Sequence, residues 1–367
     1  VASGQSLIVV GTHALLSNTT TFAELALVVV DEQHRFGVEQ RETLRRKGTS
    51  PHALVLTATP IPRTVAMTVF GDLDVSSIRT MPAGRAGIET HVVPLADRPG
   101  WMPRVWQRIA EEVALGRQAF IVCPAIDALA GVVDDTGDVA PPDDTVTVGE
   151  PGAGSGMDAP PKPPPAGVVQ VAELLAAMPA FEKIRVEVLH GKLPAEEKDR
   201  LMRAFAAGDI DVLVATTVIE VGVDVPNAST MAILDADRFG VSQLHQLRGR
   251  VGRGGVPGLC LLVTGAEQGT PARERIDAVA STLDGFELAE VDLALRREGD
   301  VLGDLQSGGR SSLRLLRVVK DATLIGEARV EAEAILDEDP TLAAHPELAA
   351  AIDRRLDQGE RAALAKN

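Results

Sequence analysis

Leu25-Ala26-Leu27-Val28-Val29-Val30-Asp31-Glu32-Gln33-His34 is an apolar run that stops abruptly on two acids. A short run of Leu and Val without polar alternation predicts a parallel strand buried on both faces. In open α/β sheets, ligand chemistry gathers at the carboxyl ends of such strands. An Asp placed there can hold magnesium, directly or through water, and the next Glu can polarise a water for attack on a γ-phosphate. Two acids after one apolar run are a weak signal by themselves, so the rest of the chain has to decide.

The same pattern recurs along the chain. Strands are predicted at 6–10, 25–30, 53–57, 118–123, 186–189, 211–215, 230–234 and 259–263. Helical patterns fall at 101–115, 168–178, 195–207, 241–250 and 271–284. Alternation of this kind predicts an α/β protein with parallel sheets covered on both faces. The stretch 77–92, with Pro82, Gly84 and Gly87, lacks periodicity and reads as an interdomain linker. Residues 131–166, rich in Gly, Pro, Asp and Ala, bury too little apolar surface to order themselves and read as a disordered insertion. Beyond 270 the strands stop. Residues 271–296 read as a helical pair, 299–312 as a Gly- and Ser-rich loop, and 313–362 as an Ala-rich acidic helical tail.

Composition narrows the class. A chain of 367 residues with 45% hydrophobic content has room for two domains and an appendage, but aromatics are 3% and Tyr is absent, so the cores must be aliphatic. Cys123 and Cys260 both sit in apolar runs and read as buried thiols of a reducing cytoplasm, too few for a metal cluster. No apolar run approaches the length of a membrane span. The formal charge of −16 looks hostile to nucleic acid, but 125–166 holds eight acids against one base and 321–367 eleven acids against five bases. Between them, 294–320 has six bases against three acids, and local patches rather than totals decide phosphate binding.

Five segments carry the chemistry. Gly11-Thr12-His13, Asp31-Glu32-Gln33-His34 and Thr57-Ala58-Thr59-Pro60 each follow a predicted strand of a first sheet. Thr216-Thr217 through Gly222-Val223-Asp224 follow strand 211–215 of a second sheet, and Gln246–Gly254 covers a helix and the turn after it. Arg250 and Arg253 are three apart, which on a helix puts them on one face, and two guanidiniums so placed can clamp a phosphate that gains charge during transfer. Gly249, Gly252, Gly254 and Gly255 permit close backbone approach there.

GTHALL, VVVDEQHRFGVEQR, LTATPIPRT, VATTVIEVGVDVPNAS and QLHQLRGRVGRG together resemble the motor motifs of superfamily 2 helicases. More narrowly they resemble the RecG family of branched-DNA helicases, with the Mfd translocases as close relatives. DLALRREGDVLGDLQSGG (292–309) resembles the translocation motif that both share. The resemblance implies one partial RecA-like lobe at 1–80, a complete RecA-like lobe at 93–268, a translocation hairpin and loop at 271–320, and an acidic tail at 321–367. It implies ATP and magnesium as cofactors and branched DNA (replication forks and Holliday junctions) as the partner, in the cytoplasm. Replication or recombination proteins are possible further partners.

Residue by residue, the resemblance gives Asp31 to magnesium and Glu32 to the attacking water. It gives His34, Thr57 and Thr59 to coupling, and Thr12, Thr216 and Thr217 to the DNA backbone. Asp224 falls to nucleotide reading or lobe coupling. Gln246, Arg250 and Arg253 fall to the γ-phosphate, and Arg296 and Gln306 to the translocation hairpin and loop. One departure is large: no G-x-x-x-x-G-K-[ST] phosphate cradle occurs in the sequence, because Gly191-Lys192 is followed by Leu193. The chain therefore reads as the C-terminal half of a longer helicase, inactive on its own. Two alternatives are an Mfd-like translocase and a non-hydrolysing DNA-binding truncation.

Overall fold

A computed structural model describes residues 1–17, 19–31, 43, 46–49, 51–57, 76, 78, 87–127, 164–220, 224–295 and 322–355. Glu32, His34, Thr59, Arg296, Gln306, the segment 296–320 and nearly all of the 131–166 insertion lie outside the described residues. The chain divides into two units, one built on 1–60 and 80–292, the other on 61–79 and 293–367.

The first sheet has two described strands, β1 (Leu27–Val30) and β2 (His52–Val55), paired in parallel with Val30 opposite Val55. Val28 and Val30 are buried, while Leu27 and Val29 are more than half exposed. The predicted strand at 6–10 is not one: no described residue offers it a ladder, and Leu7, Ile8 and Val10 stand 94%, 85% and 93% exposed. An apolar run becomes a strand only where neighbouring backbone completes its hydrogen bonds.

The second sheet has six described strands, all parallel. Its strands are β3 (Ile88–Pro94), β4 (Gln118–Val122), β5 (Val186–Leu189), β6 (Val212–Ala215), β7 (Ala228–Ile233) and β8 (Gly258–Thr264). Their spatial order is β3-β8-β7-β4-β6-β5. Side chains alternate between two cores. Phe120, Val122, Leu213, Ala215, Met231, Ile233, Cys260 and Leu262 face one, and Ala119, Ile121, Val212, Val214, Ala232, Leu234, Leu261 and Val263 face the other. Both faces are therefore apolar, which is why these strands read as continuous runs rather than alternating ones.

Helices α1 (Met102–Ala114) and α2 (Val168–Ala176) pack on the second of these faces through Val105, Trp106 and Ile109, and Val168, Val171 and Leu175. Helices α3 (Ala195–Ala207), α4 (Val241–Arg248), α5 (Pro271–Ser281) and α6 (Gly285–Leu295) cover the first, through Leu201, Phe205, Leu244, Leu247, Ile276, Val279 and Leu288. The chain crosses the sheet in one direction from β3 through β4 to β5, and returns through β6 and β7 to β8. A constant handedness of crossover then requires the covering helices to change face at that reversal, as they do. Helix starts are legible locally: Pro271 occupies the first turn of α5 and the Thr270 hydroxyl accepts the Arg273 amide at 3.3 Å.

The linker reading of 77–92 fails at its end, since β3 begins at Ile88, inside it and before the expected lobe start at 93. This is an edge strand, half exposed and ending on Pro94, whose missing N–H is tolerated there. A buried polar network secures the amino edge of the sheet. Glu112 pairs with Arg108 and with Arg117 (2.6 Å) and accepts the Ser229 hydroxyl at 3.0 Å. The Gln118 amide donates to the Phe205 and Ile210 carbonyls at 2.5 and 2.6 Å. Two further helices, α7 (Ala322–Glu338) and α8 (Pro346–Arg355), are described in the tail, with Leu324, Val330, Leu336, Leu348 and Ile352 exposed. No helix among the described residues is long and apolar enough to cross a membrane.

Candidate nucleotide and DNA site

Of the segments singled out in the second sheet, Thr216-Thr217 emerges at its carboxyl edge, whereas the turn with Arg250 and Arg253 packs at the amino edge, where the Gly252 amide donates to the carbonyl of Ala228, the first residue of β7, at 3.4 Å. The amides of Cys123, Thr216 and Leu234 donate to the carbonyls of Ala215, Leu189 and Val122 at 2.8, 3.2 and 2.9 Å, so three successive strands end in one row. Thr216 is buried at the end of β6, and Thr217 opens a short 3-10 turn over Thr217–Glu220. In the first sheet the Leu56 amide donates to Val30 at 2.8 Å, which brings Asp31 and Thr57 to the same edge of neighbouring strands. Asp31 is exposed. Thr12, also exposed, precedes the 3-10 turn His13–Leu16 rather than ending a strand.

The arginine segment departs from its expected geometry. Helix α4 ends at Arg248, so Arg250 and Arg253 sit in the turn beyond it and do not share a helix face. The chain leaves the helix through glycines, and Gly252 adopts φ +67°, a conformation that favours a residue without Cβ. Arg253 is then folded back. Its Nε donates to the Gly249 carbonyl at 3.0 Å and its Nη1 lies 3.2 Å from Asp224 Oδ1. The structure thus joins two predicted residues, Asp224 and Arg253, by tertiary contact. Gln246 and Arg250 are half-buried on the last turn of α4 and just after it.

Two residues that sequence reasoning passed over also belong to this region. Asp235 follows β7 as Asp31 follows β1, so the same signal could have found it. It sits in the left-handed region (φ 47°, ψ 50°), which Asp tolerates, and its carboxylate accepts the Ala166 amide at 2.8 Å. Burial pushes its carboxyl above the usual range, against the pull of the Ala166 amide and the Arg238 charge. The other is Arg248, which is 1% exposed. Its position seven after Val241 on the buried face of α4 was readable from helical spacing, but its charge suggested solvent.

Metal and cavity geometry add little elsewhere. Among the described residues no group of three or more His, Cys, Asp or Glu could hold a metal ion. An open cleft lined by residues 22–26, 46–49 and His52 lies at the amino ends of β1 and β2, on the opposite edge from Asp31 and Thr57, so the strand ends rather than the cleft mark the site.

Comparison with known proteins gives the family to which the chain is similar. Residues 168–255 match the helicase conserved C-terminal domain and 2–68 the DEAD/DEAH box helicase domain. The parallel sheet has the RecA-like fold of the superfamily 2 helicases. Within that class it is homologous to RecG. Residues 282–364 match the family described as ATP-dependent DNA helicase RecG, domain 3, C-terminal. The chain is 52% identical to the ATP-dependent DNA helicase RecG of Mycobacterium leprae over 332 residues, 90% of this chain and 42% of the relative. Against the Bacillus subtilis RecG the figures are 42% over 360 residues, 98% and 47%. A solved structure of RecG bound to a three-way DNA junction aligns with TM-score 0.57 and 38% identity over 86% of this chain and 35% of that one. The chain thus spans less than half the length of the curated relatives it matches.

Proposed function

We propose that this chain forms the second motor lobe and the downstream coupling region of an ATP-dependent helicase that acts on branched DNA. The observation that carries the reading is the match of 282–364 to RecG domain 3, which begins after β8 and α5 have followed the turn that bears Arg250 and Arg253. A match to a family described by RecG itself favours RecG over the Mfd-like alternative. Replication forks and Holliday junctions are the proposed substrates, and replication or recombination proteins in the cytoplasm are the proposed company.

In this reading Arg250 and Arg253, with Gln246, meet the γ-phosphate, where a guanidinium fork stabilises charge that grows during transfer. Asp224 holds Arg253 until the phosphate competes for it, and an exposed pair of this kind is weak enough to exchange. Thr12, Thr216 and Thr217 contact the DNA backbone. Asp31 fits magnesium, because an exposed single carboxylate suits an ion that keeps most of its waters and shares phosphate oxygens. Magnesium there would neutralise charge on the phosphates. Glu32 orients the attacking water, His34, Thr57 and Thr59 link nucleotide state to DNA grip, and Arg296 and Gln306 carry lobe motion to the duplex.

The test is a chimera in which this chain replaces the matched 332 residues of the Mycobacterium leprae RecG. Forked DNA should be separated in the presence of ATP, and linear duplex of the same length much less. A folded chimera that treats the two alike would refute the branched-DNA reading.

A further inference from the structure

Among the described residues, Arg248 is the only lysine or arginine in the buried set. Its described partners are neutral. Nη1 donates to the Val279 carbonyl and, at 2.8 Å, to the Thr282 carbonyl, while Nη2 lies 2.9 Å from His245 Nδ1. Burial pushes the His245 imidazole down to about 4, with the Arg248 charge adding and Asp284 opposing. His245 is therefore neutral near pH 7 and its Nδ1 can accept. The surroundings are apolar: Leu244, Leu247, Val279, Cys260 and Leu288 all belong to the same core.

A residue needed here only to fill space would be apolar. Burying a guanidinium without a carboxylate costs far more than burying a methionine of similar reach. What the guanidinium adds is direction. Its fork bridges the last turn of α5 and the corner that leads into α6, at the negative end of the α5 dipole. At its own end it closes α4, two residues before Arg250 and next to Gly249, whose carbonyl holds Arg253. One side chain thus joins the turn that carries the phosphate-facing arginines to the corner from which α6 leaves towards residue 296.

We propose that Arg248 is a positioning residue that locks the Arg250–Arg253 turn to the α5–α6 corner, so that the two move as one piece when the nucleotide state changes. This rests on the helicase reading for its consequence, though not for the lock itself.

The experiment compares wild type, Arg248→Met and Arg248→Lys, in the 367-residue chain by hydrogen exchange and in the chimera by ATP turnover and fork separation. With Met, exchange should quicken about tenfold in both 246–254 and 279–288 and stay unchanged in 118–122 and 212–215. DNA-stimulated turnover should be largely kept, while forks separated per ATP fall at least about tenfold. Lys, which keeps the charge and one donor direction, should recover part of both effects. Unchanged exchange in the two segments would overturn the lock, and an unchanged number of forks per ATP would overturn its role in coupling. If the Met variant does not fold, Lys carries the comparison, with intermediate values expected and wild-type values contradicting the proposal. A wild-type chimera that neither hydrolyses nor unwinds would fail the helicase reading instead, and the exchange data would still decide the lock.

Discussion

Glu112 is the most heavily invested single residue of the second sheet's amino edge. Its carboxylate is 2% exposed and meets two arginines and the Ser229 hydroxyl. Burial pushes its carboxyl up, but the hydrogen bonds from Arg117 and Ser229 and the two arginine charges outweigh it, and the net shift is downward. A depressed carboxyl stabilises the fold above its unfolded value and loses that contribution as pH falls through its folded value. Glu112→Gln should therefore cost roughly 2–3 kcal/mol at pH 7, less than for a fully buried pair because Arg108 and Arg117 reach solvent. The penalty should shrink as denaturation is measured at pH 4 and below, and a penalty constant across that range would contradict this assignment. None of this was legible in the sequence. Glu112 sits in a run of Glu111-Glu112 on an amphipathic helix, where one of two neighbouring acids is half-buried and the other points at the sheet. Only the tertiary pairing distinguishes them. Asp224 and Arg253, 29 residues apart, were each singled out in the sequence, but their contact was not legible there.

At the scale of elements, the long buried strands and helices were legible because both of their faces meet aliphatic cores and periodicity survives. The failures are at the margins. The start of β3, up to Val92, reads as linker because an edge strand keeps Glu89 and His91 outside, and 6–10 reads as strand because apolar content alone does not supply a partner. Helix α4 reads two residues too long because the glycines after Arg248 end it. Those glycines give a sharp test. A Cβ on Gly254 would lie 2.4 Å from the Pro226 carbonyl oxygen, whereas one on Gly255 would meet nothing within 4 Å. Gly254→Ala should lower stability by roughly 1–3 kcal/mol and displace the Arg253 turn, while Gly255→Ala should be close to neutral. Equal melting temperatures for the two variants would show that the turn is not packed against Pro226 as described. The first sheet makes a second prediction. With Leu27, Val29, Leu54 and Leu56 exposed on β1, β2 and the residue after it, limited proteolysis of the 367-residue chain should cut within 1–57 before it cuts 170–215. Simultaneous cleavage of the two regions would count against a difference in local stability.

For the whole molecule, the decisive information was order. Single motifs such as two acids after a strand or two arginines after a helix are common, but their succession along one chain matched a motor, and the sheet topology explains why. Doubly wound parallel strands bring widely separated segments to one carboxyl edge, so Thr216, Asp235 and the β8 end gather there. The arginine turn lies at the opposite, amino edge, beside Ala228 and Gly258, and the proposed chemistry on ATP depends above all on it. The most direct measurement is ATP turnover by the RecG chimera, with and without forked DNA, beside its Arg253→Ala variant. The exposed Asp224–Arg253 pair contributes little to folding, so the variant should melt with the parent. Forked DNA should stimulate the parent, and the variant should lose on the order of 10³-fold in kcat with a small change in KM. A folded variant that turns over ATP at the parent's rate would contradict the assignment of this turn to the γ-phosphate.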